Sequence, residues 1–190
     1  MKKILISGAG QIGSRHLQGL MKLNFPSKIY VVDPSIKSLA LSESRLKEVK
    51  NIAPFIDVSF FSELPKLGKI DLAIIATTSD IRKKVIFGIL KENQVKNFLL
   101  EKLAFQNISD FKEIIKNFKK NNCKSWVNCP NRLFKGYINI KSNFKKKDKL
   151  IMNVSGGKWN LASNTIHYLD LFHFLTDCKK IKIINSDLNN

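Results

Sequence analysis

The chain has 190 residues, of which 44% are hydrophobic and 25% are charged, and both fractions are ordinary for a globular protein. This composition excludes a disordered chain, a collagen-like chain and a coiled-coil rod. The sequence contains no apolar run of about eighteen residues, so we expect no transmembrane helix and no membrane partner. The apolar run after the two initial lysines ends at Ile6, too short for a secretion signal, and we expect a cytoplasmic protein.

The net charge of +18 comes from 33 lysines and arginines against 15 acidic residues. A nucleic-acid-binding protein would explain such a charge. However, the lysines are spread along the chain in short groups, whereas phosphate recognition usually clusters arginines with aromatic side chains. We therefore favour a solvated basic surface, and we expect no nucleic-acid partner.

The three cysteines are Cys123, Cys129 and Cys178, an odd number without any Cys-x-x-Cys pair. This pattern predicts reduced thiols in a reducing compartment and argues against a disulfide framework or a zinc site. We therefore predict no bound metal.

A regular alternation of strands and helices fills about the first 125 residues. The predicted strands are apolar runs over 3–7, 29–32, 56–60, 71–76, 97–100 and 125–128. The predicted helices cover 12–23, 35–49 and 81–91, and a fourth ends at Lys120 after a cap at Asn107 or Ser109. This rhythm predicts an α/β fold with a doubly wound parallel sheet.

The remaining residues, 126–190, follow a different pattern. Residues 130–137 predict a turn or the start of a helix, 149–155 and 181–184 predict strands, and 166–175 predict an apolar helix. These elements suit the opening of an α+β domain, but two strands and one helix cannot easily cover a sheet. We therefore expect this second domain to be incomplete, because the chain is truncated or because the domain needs a partner.

The segment GAGQIG, from Gly8 to Gly13, lies between the first predicted strand and the first predicted helix. In a dinucleotide site, Gly8 would permit the tight turn, Gly10 would let the backbone approach a diphosphate, and Gly13 would let the helix pack against the strand. Gln11 and Ile12 begin the helix, whose N-terminal N–H groups can bind phosphates. The segment predicts a Rossmann-type nucleotide site, and a structural glycine turn in another α/β fold is the alternative.

Asp33 lies twenty residues after Gly13, at the end of the second predicted strand. Its carboxylate can accept hydrogen bonds from the ribose hydroxyls of an adenosine and would repel a 2′-phosphate. NAD is therefore favoured over NADP as the cofactor.

Five segments resemble the Gfo/Idh/MocA family of oxidoreductases, and together they span nearly the whole chain. They are GAGQIGSRHLQGL at the glycine turn, AIIATTSDIR (73–82), EKLAF (101–105), VNCPNRLFKGY (127–137) and GGKWNLASNTIHYLDLF (156–172). The resemblance implies an NAD(P)-binding domain over 1–125, followed by a substrate domain over 126–190 whose sheet also joins subunits into a homo-oligomer. Because members of the family are longer, it also implies that part of the second domain is missing.

The resemblance assigns roles to residues of the first domain. Thr77 and Thr78 form a polar turn that would lie beside the nicotinamide ribose. Glu101 and Lys102 correspond to the start of the family's Glu-Lys-Pro motif at the cofactor, and Lys102 would be catalytic. Leu103 replaces the proline, so Lys102 is expected to be less rigidly aimed than in the family.

In the last segment, His167 corresponds to the catalytic histidine of the family, and Asp170 completes a His-x-x-Asp signature. The family often has an aspartate four residues before this histidine, where this chain has Ser163 followed by Asn164. Arg132 lies in the segment that resembles the crossover between the two domains. The resemblance therefore implies a substrate site that includes Asn164, Asp170 and Arg132.

These residue types suit the oxidation of an alcohol. A histidine can carry the hydroxyl proton near neutral pH, and a lysine cation can polarise the substrate oxygen. Alternatively, His167 is a capping or core residue, Lys102 is a solvated strand-end lysine, and Asp170 is a cap. Arg132 could instead be a structural bridge. His167 and Asp170 share an i, i+3, i+6 spacing with His173, but a metal site would need a further ligand.

We therefore expect an NAD-dependent oxidoreductase that transfers a hydride between the nicotinamide and a secondary alcohol or ketone of a sugar or sugar nucleotide. The alternative is a non-catalytic NAD-binding remnant. Both would bind NADH, but only the enzyme would produce NADH from a substrate.

Overall fold

The structure is a computed structural model, and it describes residues 1–144, 149–158, 160–178, 180–182 and 184–185. It divides into two compact units, Met1–Asn128 and Cys129–Asn190. Among the described residues, no helix has the length and apolar character needed to cross a membrane.

The first unit, which is described throughout, alternates strands and helices. In chain order its elements are β1 (Lys2–Ser7), α1 (Gln11–Leu20), β2 (Ser27–Val32), α2 (Ile36–Lys47), β3 (Ile56–Phe61), β4 (Gly68–Ile70), β5 (Leu72–Ile75), α3 (Arg82–Glu92), β6 (Asn93–Val95), β7 (Asn97–Leu100), α4 (Ile108–Lys120) and β8 (Lys124–Val127).

Six of these strands form one sheet in the order β3-β2-β1-β5-β7-β8, and every neighbouring pair is parallel. In its centre, Ile6 of β1 lies opposite Val31 of β2 and Ile74 of β5. The chain therefore reverses its direction across the sheet between β1 and β5, and a crevice opens there at the carboxyl ends of the strands. The short strands β4 and β6 form a separate parallel pair.

Side chains alternate along each strand, so both faces of the sheet carry apolar side chains, and helices cover both faces. Ile4 and Ile6 of β1 join a buried cluster with Leu17 of α1, whereas Leu5 joins a different cluster with Ile86 of α3. The predicted doubly wound parallel sheet is therefore confirmed.

Polar side chains fix the starts of two helices. The hydroxyl of Ser35 accepts a hydrogen bond from the N–H of Ser38 at 3.2 Å, and α2 begins directly after Ser35. The side-chain oxygen of Asn107 accepts from the N–H of Asp110 at 3.0 Å, so Asn107 is the cap of α4. Such caps satisfy N–H groups that have no partner inside the helix.

The last strand of the sheet lies at the end of the first unit. Leu100 of β7 lies opposite Val127 of β8, and the compact unit extends to Asn128.

In the second unit, the described residues form a 3₁₀-helix (Pro130–Leu133), α5 (Lys135–Asn143) and α6 (Leu161–Thr176). The apolar helix predicted over 166–175 is present within α6. The strand predicted over 149–155 is wrong, because a strand requires ladder hydrogen bonds to a neighbour and the described part of this unit provides none. Of the strand predicted over 181–184, residue 183 lies outside the described residues, and the other three are not in a strand.

Candidate functional site

The turn between β1 and α1 requires glycine at two positions. Gly8 has a φ of +97°, and a Cβ there would lie 2.9 Å from the backbone carbonyl carbon of Ala76. A Cβ on Gly13 would lie only 1.7 Å from the carbonyl oxygen of Gly8. The absence of side chains at both positions therefore lets α1 and the loop after β5 approach the end of β1 closely.

Gly10 has different surroundings, because a Cβ there would meet no described atom within 4 Å. Gly10 is the N-cap residue of α1, and no side chain among the described residues caps this helix. The first turn of α1, which contains Gln11, Ile12 and Gly13, therefore has N–H groups without intrahelical partners next to open space. Together with the positive end of the helix dipole, these groups suit an anion such as a diphosphate.

Arg45 of α2 adds a positive charge beside this turn. Its guanidinium donates from Nη1 to the hydroxyl of Ser14 at 2.6 Å and from Nη2 to the side-chain oxygen of Gln11 at 2.5 Å. The side chain of Gln11, which was predicted to bind cofactor, is thus held by Arg45. Sequence spacing gave no indication of this contact, because Arg45 follows Gln11 by 34 residues.

Asp33, at the end of β2, is fixed next to the glycine turn. Its Oδ2 accepts a hydrogen bond from the N–H of Ala9 at 2.7 Å, and its Oδ1 accepts from the N–H of Ser35 at 2.8 Å. Each carboxylate oxygen has two lone pairs, so both oxygens retain capacity for a ligand hydroxyl. The carboxylate therefore has a fixed orientation at the mouth of the crevice.

A cleft of about 630 Å³ follows the carboxyl ends of β1, β2 and β5. Its lining includes Gly10, Asp33, Thr77 and Thr78, and apolar side chains such as Leu64 form one wall. The hydroxyl oxygen of Thr77 is buried and has no hydrogen-bond partner among the described residues. Buried polar atoms are usually satisfied by protein, water or a ligand. The cleft therefore combines an apolar wall with polar groups that can bind a ligand.

Glu101, at the carboxyl side of β7, connects three elements. Its Oε1 accepts from Nδ2 of Asn128 at 2.6 Å and lies 2.7 Å from Nε2 of His16 in α1. Burial acts to raise the pKa of Glu101, but hydrogen bonds from His16 and Asn128 outweigh it and hold the pKa below its usual range. One oxygen of this predicted cofactor-binding carboxylate is thus engaged with protein groups. Lys102 follows half-buried, and its peptide bond to Leu103 is cis.

Arg82 is a second arginine whose contacts could not be predicted from the spacing of residues in the sequence. It begins α3, its side chain is buried, and its guanidinium donates hydrogen bonds to backbone carbonyls in the loops after β5 and β7. Only the three-dimensional convergence of these loops reveals the contact.

In the second unit, Arg132 and Asp170 form an ion pair. The Nε of Arg132 donates to Oδ2 of Asp170 at 2.9 Å, and its Nη2 donates to Oδ1. His167 lies one turn before Asp170 on α6, Asn164 lies three residues before His167, and both are half-buried. Of the predicted substrate residues, the structure joins Arg132 to Asp170 and places His167 and Asn164 on the same helix as Asp170.

Several solved structures have a similar fold and little sequence identity to this chain. A probable dehydrogenase from Thermotoga maritima is 16% identical with a TM-score of 0.67, over 92% of this chain and 55% of that chain. An oxidoreductase from Agrobacterium radiobacter, in complex with NAD⁺, L-tartaric acid and magnesium, is 15% identical with a TM-score of 0.69, over 92% and 54%. The WlbA (WbpB) dehydrogenase from Thermus thermophilus, in complex with NAD and UDP-GlcNAcA, is 19% identical with a TM-score of 0.66, over 92% and 63%.

This chain thus spans between 54% and 63% of the length of these three proteins. No curated protein matches the sequence. The parallel sheet, its glycine turn and the cleft at the strand reversal define a Rossmann fold of the dinucleotide-binding class. A family model described as an oxidoreductase family with an NAD-binding Rossmann fold matches residues 2–129, and the chain belongs to this family, Gfo/Idh/MocA. The family resemblance noted in the sequence is therefore confirmed.

Proposed function

We propose that this chain is an NAD-dependent oxidoreductase that transfers a hydride between the nicotinamide and a secondary alcohol or ketone of a sugar or sugar nucleotide. The observation that carries the cofactor assignment is one cleft that contains both the open backbone at Gly10 and the fixed carboxylate of Asp33. The family resemblance supports the substrate class, and so does the fold likeness to a dehydrogenase solved with UDP-GlcNAcA.

The surroundings of the cleft suit each part of the dinucleotide. The first turn of α1 offers N–H groups to the diphosphate, and no side chain intervenes at Gly10. Asp33 suits the adenosine ribose, and the unpartnered hydroxyl of Thr77 suits a polar group of the nicotinamide half. The residues proposed to hold the cofactor are Gly8, Gly10, Gln11, Ile12, Gly13, Asp33, Thr77, Thr78, Glu101 and Lys102.

We expect the chain to bind NADH about tenfold or more tightly than NADPH, because a 2′-phosphate would approach the carboxylate of Asp33. Two backbone N–H groups hold this carboxylate, so it cannot easily turn away. Asp33→Asn removes the charge and should bring the two affinities closer by a similar factor. Fluorescence titration with both nucleotides measures the ratio, and Asp57→Asn, at a more exposed carboxylate on β3, is the matched control. Equal affinities in the unmodified protein would contradict the preference for NAD.

The chemistry divides between the cofactor and the chain. When bound, NAD supplies the hydride acceptor or, in its reduced form, the donor. Lys102, next to the carboxyl edge of β7, would donate a hydrogen bond to the substrate oxygen and stabilise its negative charge. His167 would take the hydroxyl proton during oxidation and return it during reduction. Asn164 and the Arg132–Asp170 pair would bind further hydroxyls of the substrate.

Turnover is the test that separates the enzyme from a non-catalytic NAD-binding protein. With NAD and a panel of sugars and UDP-sugars, we expect substrate-dependent NADH formation that falls by about a thousandfold in His167→Ala and in Lys102→Ala. His173→Ala on the same helix and Lys112→Ala on α4 are the controls and should retain activity. NADH binding without turnover on any substrate of the panel would support the non-catalytic alternative instead.

The family resemblance also supports a homo-oligomer joined through the sheet of the second domain when that domain is complete. We propose a cytoplasmic location from the short initial apolar run. The odd number of cysteines agrees with a reducing compartment. We propose no membrane partner and no nucleic-acid partner for this chain.

A further inference from the structure

Among the residues that the structure describes, Arg82 is the largest of the fully buried side chains, with an exposed fraction of 1%. Its Nη1 donates hydrogen bonds to the carbonyl oxygens of Glu101, Leu103 and Ala104, the last at 3.0 Å. Its Nη2 donates to the carbonyl oxygen of Thr77. One guanidinium therefore binds four backbone carbonyls in two loops that follow neighbouring strands of the sheet.

Two of these carbonyls flank a single residue. Glu101 and Leu103 stand on either side of Lys102, so Arg82 holds the backbone immediately before and after it. The family resemblance led us to expect a less rigid Lys102, because Leu103 replaces a proline. In the structure, hydrogen bonds from Arg82 restrain this turn where a proline ring would otherwise do so. The other anchor, Thr77, lies in the cleft that we assign to the cofactor.

Burial of a guanidinium lowers the stability of the fold through desolvation unless the group is well paired. Burial lowers the pKa of Arg82, and the negative charges of Glu101 and Asp80 act in the opposite direction. The adjacent residue, Lys83, shows the usual alternative, because its ammonium binds Asp110 at 2.7 Å near the surface. Arg82 instead directs its donors to the loops that border the cleft.

We infer that Arg82 is a positioning residue that aims Lys102 at the bound dinucleotide and its substrate. This inference rests on the proposed function, in which Lys102 contacts both. Arg82 itself touches neither; it acts by fixing the turn from Glu101 to Ala104 and by tying that turn to Thr77.

Amide hydrogen exchange without nucleotide tests the restraint on the turn directly. In Arg82→Met, peptides covering 101–105 should exchange about tenfold faster, while the amides of β1 and β5 stay protected. Arg82→Lys keeps a cation with three donors and should restore part of the protection. Lys83→Met is the matched control and should leave the turn unchanged. Unchanged exchange in Arg82→Met, or loss of protection throughout the sheet, would overturn the inference.

Coupling to Lys102 tests whether this restraint serves binding. Arg82→Met and Lys102→Ala should each weaken NADH affinity by about tenfold, and the double variant should be no weaker than either single variant. Arg82→Lys should recover part of the loss. Independent effects that multiply to about a hundredfold would show that Arg82 does not act through Lys102 and would reject the inference.

The two measurements keep the inference separate from the proposed function. If the unmodified chain fails to bind NADH, the proposed function fails, while hydrogen exchange still decides whether Arg82 restrains the turn. If NADH binds but Lys102→Ala leaves the affinity unchanged, the positioning role is rejected and the cofactor assignment stands.

Discussion

Gly13→Ala should destabilise the first unit by about 3 kcal/mol or more, which corresponds to a fall in Tm of roughly 10 °C. The added Cβ would lie 1.7 Å from the carbonyl oxygen of Gly8, far inside van der Waals contact. The atom that it meets belongs to the backbone of a buried turn, so no side-chain rotation can relieve the overlap. The helix α1 would have to move away from β1, and the apolar contacts of Leu17 would be lost. Thermal and urea unfolding measure the effect.

Gly19→Ala is the matched control for this prediction. Gly19 lies in the same helix, is exposed, and a Cβ there would meet no described atom within 4 Å. Alanine should therefore stabilise the helix by about 0.5–1 kcal/mol, with the opposite sign to Gly13→Ala. If both variants unfolded at the same temperature as the original chain, the close contact of α1 with Gly8 would be wrong.

Gly10→Val should weaken NADH binding by about a hundredfold or more while the fold survives. The valine would occupy the open space over the first turn of α1, where we place the diphosphate, and would block its access to the N–H groups. The backbone of Gly10 is extended and a Cβ has room, so the unfolding free energy should fall by no more than about 1 kcal/mol, as expected for loss of glycine at an N-cap.

NADH fluorescence titration together with a melting curve separates these two effects. Gly19→Val places the same side chain on the outer surface of α1 and should leave NADH affinity unchanged. An unaltered affinity in a folded Gly10→Val protein would mean that the diphosphate does not lie over this turn, and the proposed cofactor site would have to be abandoned.

Most of the large sheet could be predicted because its central strands are short, continuous apolar runs. The run DLAIIA contains β5 (Leu72–Ile75), and the strand predicted over 97–100 coincides with β7 (Asn97–Leu100). Such runs are typical of parallel strands that are buried on both faces. Their order in the sheet follows from the right-handed strand–helix–strand connections.

The elements that were missed or wrong depend on pairing partners, which local patterns do not identify. β4 (GKI) and β6 (NQV) have only three residues each, and they become strands by pairing Gly68 with Asn93 across the chain. Conversely, residues 149–155 are mostly apolar and predict a strand, but no described segment of the second unit pairs with them. Strand formation is therefore decided by distant residues as much as by propensity.

The candidate site likewise contains residues whose roles a local motif predicts and residues whose contacts depend on distant parts of the chain. Gly8, Gly13 and Asp33 have roles that follow from backbone conformation and spacing, so the motif predicts where they lie. The contacts of Glu101 and Arg82 depend on which loops converge at the edge of the sheet and on burial, which the sequence does not encode locally. No local sequence pattern marks Arg82 as a functional candidate, because its four carbonyl partners come together only in the folded structure.

The turn that carries Lys102 has two kinds of attachment, and acid should affect them differently. Arginine remains protonated in proteins, so the bonds from Arg82 persist wherever the chain is folded. The carboxylate of Glu101, with its lowered pKa, contributes stability that is complete above its unfolded pKa, near 4.5, and that disappears as the pH falls through the folded value. Acidification would thus release the side chain of Glu101 from His16 and Asn128 while the backbone beside it stays anchored. Over that pH range, the turn would lose the side-chain contacts of Glu101 but keep its backbone hydrogen bonds to Arg82.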